Sequence, residues 1–219
     1  MIYPSTLTFL AELKENNHKE WFDANRDRYQ ESRENLISLV DQVLEGLVEF
    51  DHSVEGLEAK KCLFRINRDI RFSKNKSPYK TNMGAFMSKG GKQSYYAGYY
   101  VHLEPGSCFV GGGCYQPPAP ELKKIRSYID LSAAELREIT SDKKFVDTFG
   151  GLQGEELKSA PAGFDKQHPD IDLIRRKDFF VGKNLEDHQV LSEGFAETLL
   201  DIFETMYPLN RYLNEAIDH

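Results

Sequence analysis

The chain has 219 residues, with 28 Lys and Arg against 35 Asp and Glu, for a formal net charge of −7. At 40% apolar and 29% charged residues it falls outside the disordered and fibrous classes, and it is long enough to bury a core without disulfides or metal. The acidic balance argues against a surface that is basic all over, as on many nucleic-acid and membrane-surface binders.

Other bounds follow from the same reading. The longest apolar runs are a few residues, far below the ~20 that span a bilayer. Met1-Ile2-Tyr3-Pro4 has neither the basic nor the apolar part of a signal peptide. Cys62, Cys108 and Cys114 lack CxxC spacing, so the expectation is reduced thiols in a cytoplasm. One domain over residues 1–219 is expected.

Residues 1–57 read as helical. Ser5 or Thr6 is the candidate cap of a first helix bearing Leu7, Leu10 and Leu13, and Asn16-Asn17 suits its end. A longer helical region runs from about His18 to Phe50, with Leu36, Ile37, Val40, Val43, Leu44, Leu47 and Val48 spaced by three and four. Residues 58–116 read as strands. Lys61–Arg68 alternates, placing Cys62, Phe64 and Ile66 on one face. Tyr95–Leu103 and Cys108–Cys114 flank the turn signal Glu104-Pro105-Gly106-Ser107. Pairing Glu104 with Ser107 sets Val101 opposite Val110 and His102 opposite Phe109. Gly111-Gly112-Gly113 offers no side chain to pack, which points to a bulge or a close approach by another group.

Residues 117–219 return to helix. Pro120 suits a first helical turn, and Ser132-Ala133-Ala134-Glu135 is a capping-box pattern that opens a further helix. A late strand is expected near 178–183. Val190, Leu191, Phe195, Leu199, Ile202, Phe203 and Met206 trace one helical face, which Pro208 is expected to end. The fold class is therefore α+β: a central antiparallel sheet, from about residues 60–115 plus the late strand, packed by N- and C-terminal helices.

The charge is concentrated. Between Lys60 and Lys92 there are ten bases and one acid, a local +9, while the remaining 18 bases and 34 acids give −16. The densest part is Arg65-Ile66-Asn67-Arg68-Asp69-Ile70-Arg71-Phe72-Ser73-Lys74-Asn75-Lys76-Ser77-Pro78-Tyr79-Lys80. Guanidinium forks match phosphate or carboxylate oxygens, and lysines add mobile charge. Arg65, Arg68, Asp69, Arg71, Lys76 and Lys80 are the candidate ligand-binding residues. The competing account is that these bases pair with the protein's own acids. No P-loop is present, because the Gly-Lys-Ser/Thr ending is missing.

The stretch Arg68–Thr81 resembles the signature of an uncharacterised family, domain of unknown function 2461. Asn17-His18-Lys19-Glu20-Trp21-Phe22, Gly111-Gly112-Gly113 before Pro117-Pro118, Leu157–Phe164 and Pro208–Asn214 agree with it, so the resemblance covers nearly the whole chain. One departure is Asn75, where an acid is expected between Lys74 and Lys76. The resemblance implies a single bacterial or fungal domain and transfers no catalytic residue.

Tyr79, Tyr100 and His102 are the candidates for proton transfer. His102 shares its strand parity with Tyr100, and a concave polar site results if that face meets Arg65 and Asn67. A half-buried histidine with a satisfied hydrogen bond is the bland alternative. Asp165, His168, Asp170 and Asp172 cluster without metal-ligand spacing, so neither a metal nor a cofactor is expected. Three functions remain open. They are binding or turnover of a small phosphorylated or carboxylated metabolite, single-stranded nucleic-acid binding, and docking of an acidic protein partner.

Overall fold

The computed structural model describes residues 1–219. Three N-terminal helices, α1 (Pro4–Glu15), α2 (Lys19–Ala24) and α3 (Arg26–Leu47), lead through a 3-10 turn at His52–Val54 and the single turn α4 (Ala59–Cys62) into the sheet. Strands β1 (Met83–Ser88), β2 (Gly98–Leu103) and β3 (Cys108–Cys114) follow in succession. Helices α5 (Ala119–Ser141), α6 (Lys143–Phe149) and α7 (Ile171–Ile174) precede β4 (Phe179–Leu185), and α8 (Asp187–Val190) and α9 (Phe195–Asp218) close the chain. The four strands are antiparallel in the order β1-β2-β3-β4. The fold is thus α+β, and the predicted late strand is β4.

The β2–β3 register agrees with the turn-based expectation: Val101 pairs with Val110 and His102 with Phe109. Alternation along the strands gives the sheet two unlike faces. Tyr99, Val101, Val110, Phe179 and Val181 are buried on the face turned to the helices. There Tyr99 packs against Phe203 of α9 with ring centroids 5.0 Å apart, and its hydroxyl donates to Asp51 Oδ2 at 2.8 Å. These residues belong to one contiguous cluster of 51 buried apolar residues, which places a continuous core between sheet and helices. A Cβ on Gly112 would lie 2.2 Å from both Gly98 O and Met206 Sδ. The glycine run therefore lets α9 sit directly on the strand, which is the close approach expected.

Several expectations are corrected. Lys61–Arg68 is not a sheet strand. Its first residues finish α4; Leu63 then makes one isolated bridge to Ala85 of β1, and Asn67 bridges back to Tyr79 within the basic segment itself. Phe64, expected inside with Cys62 and Ile66, is 41% exposed, because the chain re-orients after the helical turn and buries Leu63 instead. The first helix begins at Pro4, with Tyr3 rather than Ser5 or Thr6 at the cap position; proline supplies the fixed φ that a first helical residue needs. The helical region after His18 divides at Asn25 into α2 and α3. Val190 and Leu191 belong to α8 and its end, not to α9. Pro208 does not end α9, which continues to Asp218. Leu209, Tyr212, Leu213, Ala216 and Ile217 beyond it are all buried, and that burial outweighs the lost backbone hydrogen bond. Ser132 does mark a new helix: its backbone is non-helical (φ −140°, ψ 32°) and kinks α5. No helix is long and apolar enough to cross a membrane.

Candidate functional site

The second face of the sheet is the floor of a cavity of about 1010 Å³. Register sets its rows. Gly84, His102, Phe109 and Asn184 lie side by side across the four strands, and Phe86, Tyr100, Gly111 and Gly182 form the next row. Phe64, Arg65, Lys80 and the connection after β1 wall one side; Tyr115–Pro118 and Gln153 wall the other.

Three cations reach this cavity from its rim, Arg65, Lys80 and Lys92, and no carboxylate lines it; Lys183 borders it on β4, but its pairing with Val110 puts its side chain on the other face of the sheet. None of the three has a carboxylate oxygen within 4.0 Å. Lys80 Nζ lies 5.4 Å from the centroid of the Phe64 ring, and burial followed by the nearby Arg65 charge lowers its pKa below the ordinary lysine value. Lys92 Nζ donates to the backbone carbonyl of Leu63, which steers its charge to the cavity's β1 side. Across the +9 segment, Lys60 and Lys61 pair with Glu58, Arg71 with Asp69 and Lys89 with Asp218. The other six bases of that segment have no internal carboxylate partner, so intramolecular pairing explains only part of the cluster.

Tyr100 and His102 stand two residues apart on β2 and therefore on the same face. Tyr100 Oη is 2.9 Å from His102 Nδ1, and His102 Nε2 is 3.4 Å from Glu104 Oε2 and 3.2 Å from Asn82 Nδ2. Thr81 Oγ1 donates to the other Glu104 oxygen at 2.8 Å. The imidazole stacks on Phe109 at 4.5 Å. The tautomer sets the direction of the chain. With the proton on Nε2 and turned to Glu104, Nδ1 accepts from the phenol; with the proton on Nδ1, Asn82 donates to Nε2 and the phenol oxygen accepts. Burial depresses the His102 pKa against the opposing pull of Glu104, which favours the neutral ring. Burial and the Glu104 charge push Tyr100 up to about 12, so it stays a phenol. A neutral imidazole against a phenol can store, accept or hand on a proton at the cavity floor.

The sequence candidates separate clearly. Arg65, Lys80, Tyr100 and His102 meet at this cavity. Arg68, Asp69, Arg71 and Lys76 lie outside it, in the segment before Pro78. Arg68 donates to Ser77 O at 3.0 Å and reaches Ser73 Oγ at 3.4 Å, clamping that loop without a carboxylate. Arg71 and Asp69 form an exposed pair, and Lys76 Nζ donates to Ile70 O at 3.0 Å. Tyr79 is buried, stacks on Phe22 at 4.0 Å and exchanges two backbone hydrogen bonds with the Asn17 side chain. Its ring fastens the basic segment to α2. Asp170 and Asp172 are held by Arg137, and His168 contacts Asp130 at 2.9 Å. No group of three or more His, Cys, Asp or Glu side chains converges as a metal site.

Sequence reading missed Lys92, Asn82, Glu104 and the glycine floor as parts of one site. Glu104 carried only a turn signal, although its spacing from His102 repeats that of Tyr100. Gly182 sits on β4, nearly seventy residues downstream of β3, where no local pattern links it to Arg65.

Taken together, these features define an α+β protein with an open-faced antiparallel sheet whose uncovered side forms a cation-lined cavity. The chain belongs to the conserved hypothetical protein family DUF2461, whose family model matches residues 5–212. Comparison with curated proteins and comparison with solved structures each found no match.

Proposed function

We propose that this protein binds a small anionic metabolite, phosphorylated or carboxylated, in the cavity on the uncovered face of the sheet. The observation that carries this reading is the lining itself: three cations, Arg65, Lys80 and Lys92, none paired to a carboxylate, around a concave floor. Unpaired cations at a partly desolvated surface are held at an electrostatic cost that an anion relieves. The −16 outside Lys60–Lys92 disfavours a long polyanion, whereas a small one feels mainly the field within a screening length of ~8–10 Å. The bound group would lie against the Tyr100–His102 pair, which makes proton transfer to or from it the accessible chemistry. Three free, buried cysteines support a reducing, cytoplasmic setting, and the continuous core supports one domain over residues 1–219.

The test is a thermal-shift panel of phosphate, sulfate, nucleotides and small carboxylates, followed by calorimetry. At a ligand concentration ~100 times Kd the folded state gains about 2.7 kcal/mol, a clear rise in Tm. The reading fails if no anion shifts the transition, or if the shift persists in an Arg65→Gln/Lys80→Met double variant.

A second reading applies to the loop outside the cavity. Phe72 is 95% exposed there, among Arg71, Lys74 and Lys76, and this supports docking of an acidic protein segment. A Lys74→Glu/Lys76→Glu variant is then expected to lose binding to a glutamate-rich, aromatic-bearing peptide while keeping anion binding; unchanged peptide binding overturns it.

A further inference from the structure

We propose that the anion held in this cavity carries a flat aromatic ring, which lies on the glycine floor while its charged group meets the lysine and arginine rim; this rests on the anion-binding reading above. Three features of the cavity lead to it independently of charge.

The first is the floor. Gly111 and Gly182 face each other across β3 and β4, so two adjacent strands present bare backbone at the centre of the open face. At Gly111 a side chain is sterically barred, since its Cβ would lie 2.8 Å from Val181 O. At Gly182 it is not. The nearest atoms to a Cβ there are Gln153 Oε1 and Val110 O, both at 3.4 Å, and its φ is ordinary. Glycine inside a strand weakens it and commonly marks a close approach by a ligand or another backbone. Gln153 borders Gly182 from the side, its Nε2 donating to Gly182 O at 3.0 Å, and Gly182 itself lines the cavity.

The second is the wall. Phe64, Tyr95 and Tyr115 are 41%, 59% and 67% exposed, and all three line this one cavity. Singly scattered exposed aromatics need no explanation, but apolar surface gathered in a concavity marks a binding site. The third is the separation of functions. An inorganic anion would engage only the rim and leave the rings and the bare strands in water. A ring with an attached phosphate, sulfonate or carboxylate uses both. Rings stack plane to plane on aromatic side chains, and a strand pair without side chains is itself flat, so the fit favours a planar group over a branched or puckered one.

The experiment compares probes of equal charge by calorimetry: methyl phosphate, cyclohexyl phosphate, phenyl phosphate and 1-naphthyl phosphate. Phenyl and 1-naphthyl phosphate are expected to bind at least about tenfold tighter than methyl phosphate, which is about 1.4 kcal/mol. Cyclohexyl phosphate is expected close to methyl phosphate. Gly182→Val, which puts a branched side chain on the floor of an edge strand, should reduce the aryl preference to below about threefold and leave methyl phosphate affinity within about twofold. Tyr95→Ala is the second variant, at an exposed side chain whose loss does not threaten folding, and it should also lower the aryl preference. Equal affinity for methyl and phenyl phosphate overturns the proposal while anion binding stands. So does cyclohexyl phosphate matching phenyl phosphate, or an aryl preference that survives both substitutions. If none of the four probes binds, the anion-binding reading itself falls, and this inference with it.

Discussion

The contrast between Lys80 and Lys76 separates a cavity from a sequence motif. Both belong to the same basic run, four residues apart, and sequence reading gave them the same role. Lys80 is half-buried at the cavity, its ammonium over the Phe64 ring and near the Arg65 charge; Lys76 is exposed and donates to a backbone carbonyl of its own loop. Lys80→Met keeps the packing and removes the charge. A charge-assisted hydrogen bond to a bound anion contributes about 1.5–3 kcal/mol, so phenyl phosphate affinity should fall about ten- to a hundredfold. Lys76→Met should change it by less than about twofold, because an exposed charge beyond the cavity acts through high dielectric and salt. Calorimetry at fixed ionic strength measures both, with thermal melts confirming that each variant is folded. A further sign is available. The anion raises the lowered pKa of Lys80 back towards the ordinary value, so binding takes up a fraction of a proton. Affinity should therefore decline with rising pH earlier than for an unperturbed lysine. Equal losses in the two variants, or no loss in Lys80→Met, would refute the assignment of the anion to the sheet cavity.

Three other outcomes follow from the geometry. His102 has a folded pKa below its ordinary 6.5, so the unfolded state binds the proton more readily; its contribution to stability is complete above that value and is lost as pH falls below it. Melting temperature should drop more steeply below about pH 6.5 in the wild type than in His102→Gln. Gly112→Ala would force a methyl group to within 2.2 Å of Gly98 O and Met206 Sδ, and overpacking of this kind costs about 1–3 kcal/mol or more, visible as a fall in Tm or loss of soluble protein. Pro208→Ala restores a backbone donor inside α9. A helix-interior proline costs ~3 kcal/mol, of which ~1 is offset by its stiffening of the unfolded chain, so chemical denaturation should show a gain of about 2 kcal/mol; a loss of stability would refute this account of Pro208.

Much of the fold was legible because its signals are local. The turn Glu104–Ser107 fixed the β2–β3 register, and period-2 alternation then put Tyr100 and His102 on one face. The capping pattern at Ser132 located the kink in α5. The misreadings have a common cause, which is that tertiary contacts override local preference. Met83–Ser88 lies inside the region read as strands but carries no β-branched residue and no pattern of its own, and it is its pairing with β2 along the whole length that makes it β1. Lys61–Arg68 alternates like a strand, but a helical turn occupies its start and it reaches the sheet only through the isolated bridge Leu63–Ala85. Pro208 carries a strong helix-stop signal, overruled by the buried residues that follow it.

The site was legible only in part, and the reason is geometric. Sequence reading finds charges that are adjacent along the chain, whereas a cavity collects charges that are adjacent across a sheet. Arg68, Arg71 and Lys76 stand out in the sequence because they are crowded together, and crowding of like charges is easiest to hold in an exposed loop, where water screens them. Arg65 and Lys80 are the flanks of that loop, and their backbones are drawn together by the hydrogen bonds Lys80 N–H to Ile66 O and Arg68 N–H to Pro78 O. The loop between them is thereby held as a closed excursion, anchored at its base by Tyr79 on Phe22. Lys92, from the connection after β1, then completes the cation rim on the same side of the sheet. Density of charge along a chain thus indicated the neighbourhood of the cavity, while the residues that face into it are those where the backbone pairs back onto itself and the charge density is lower.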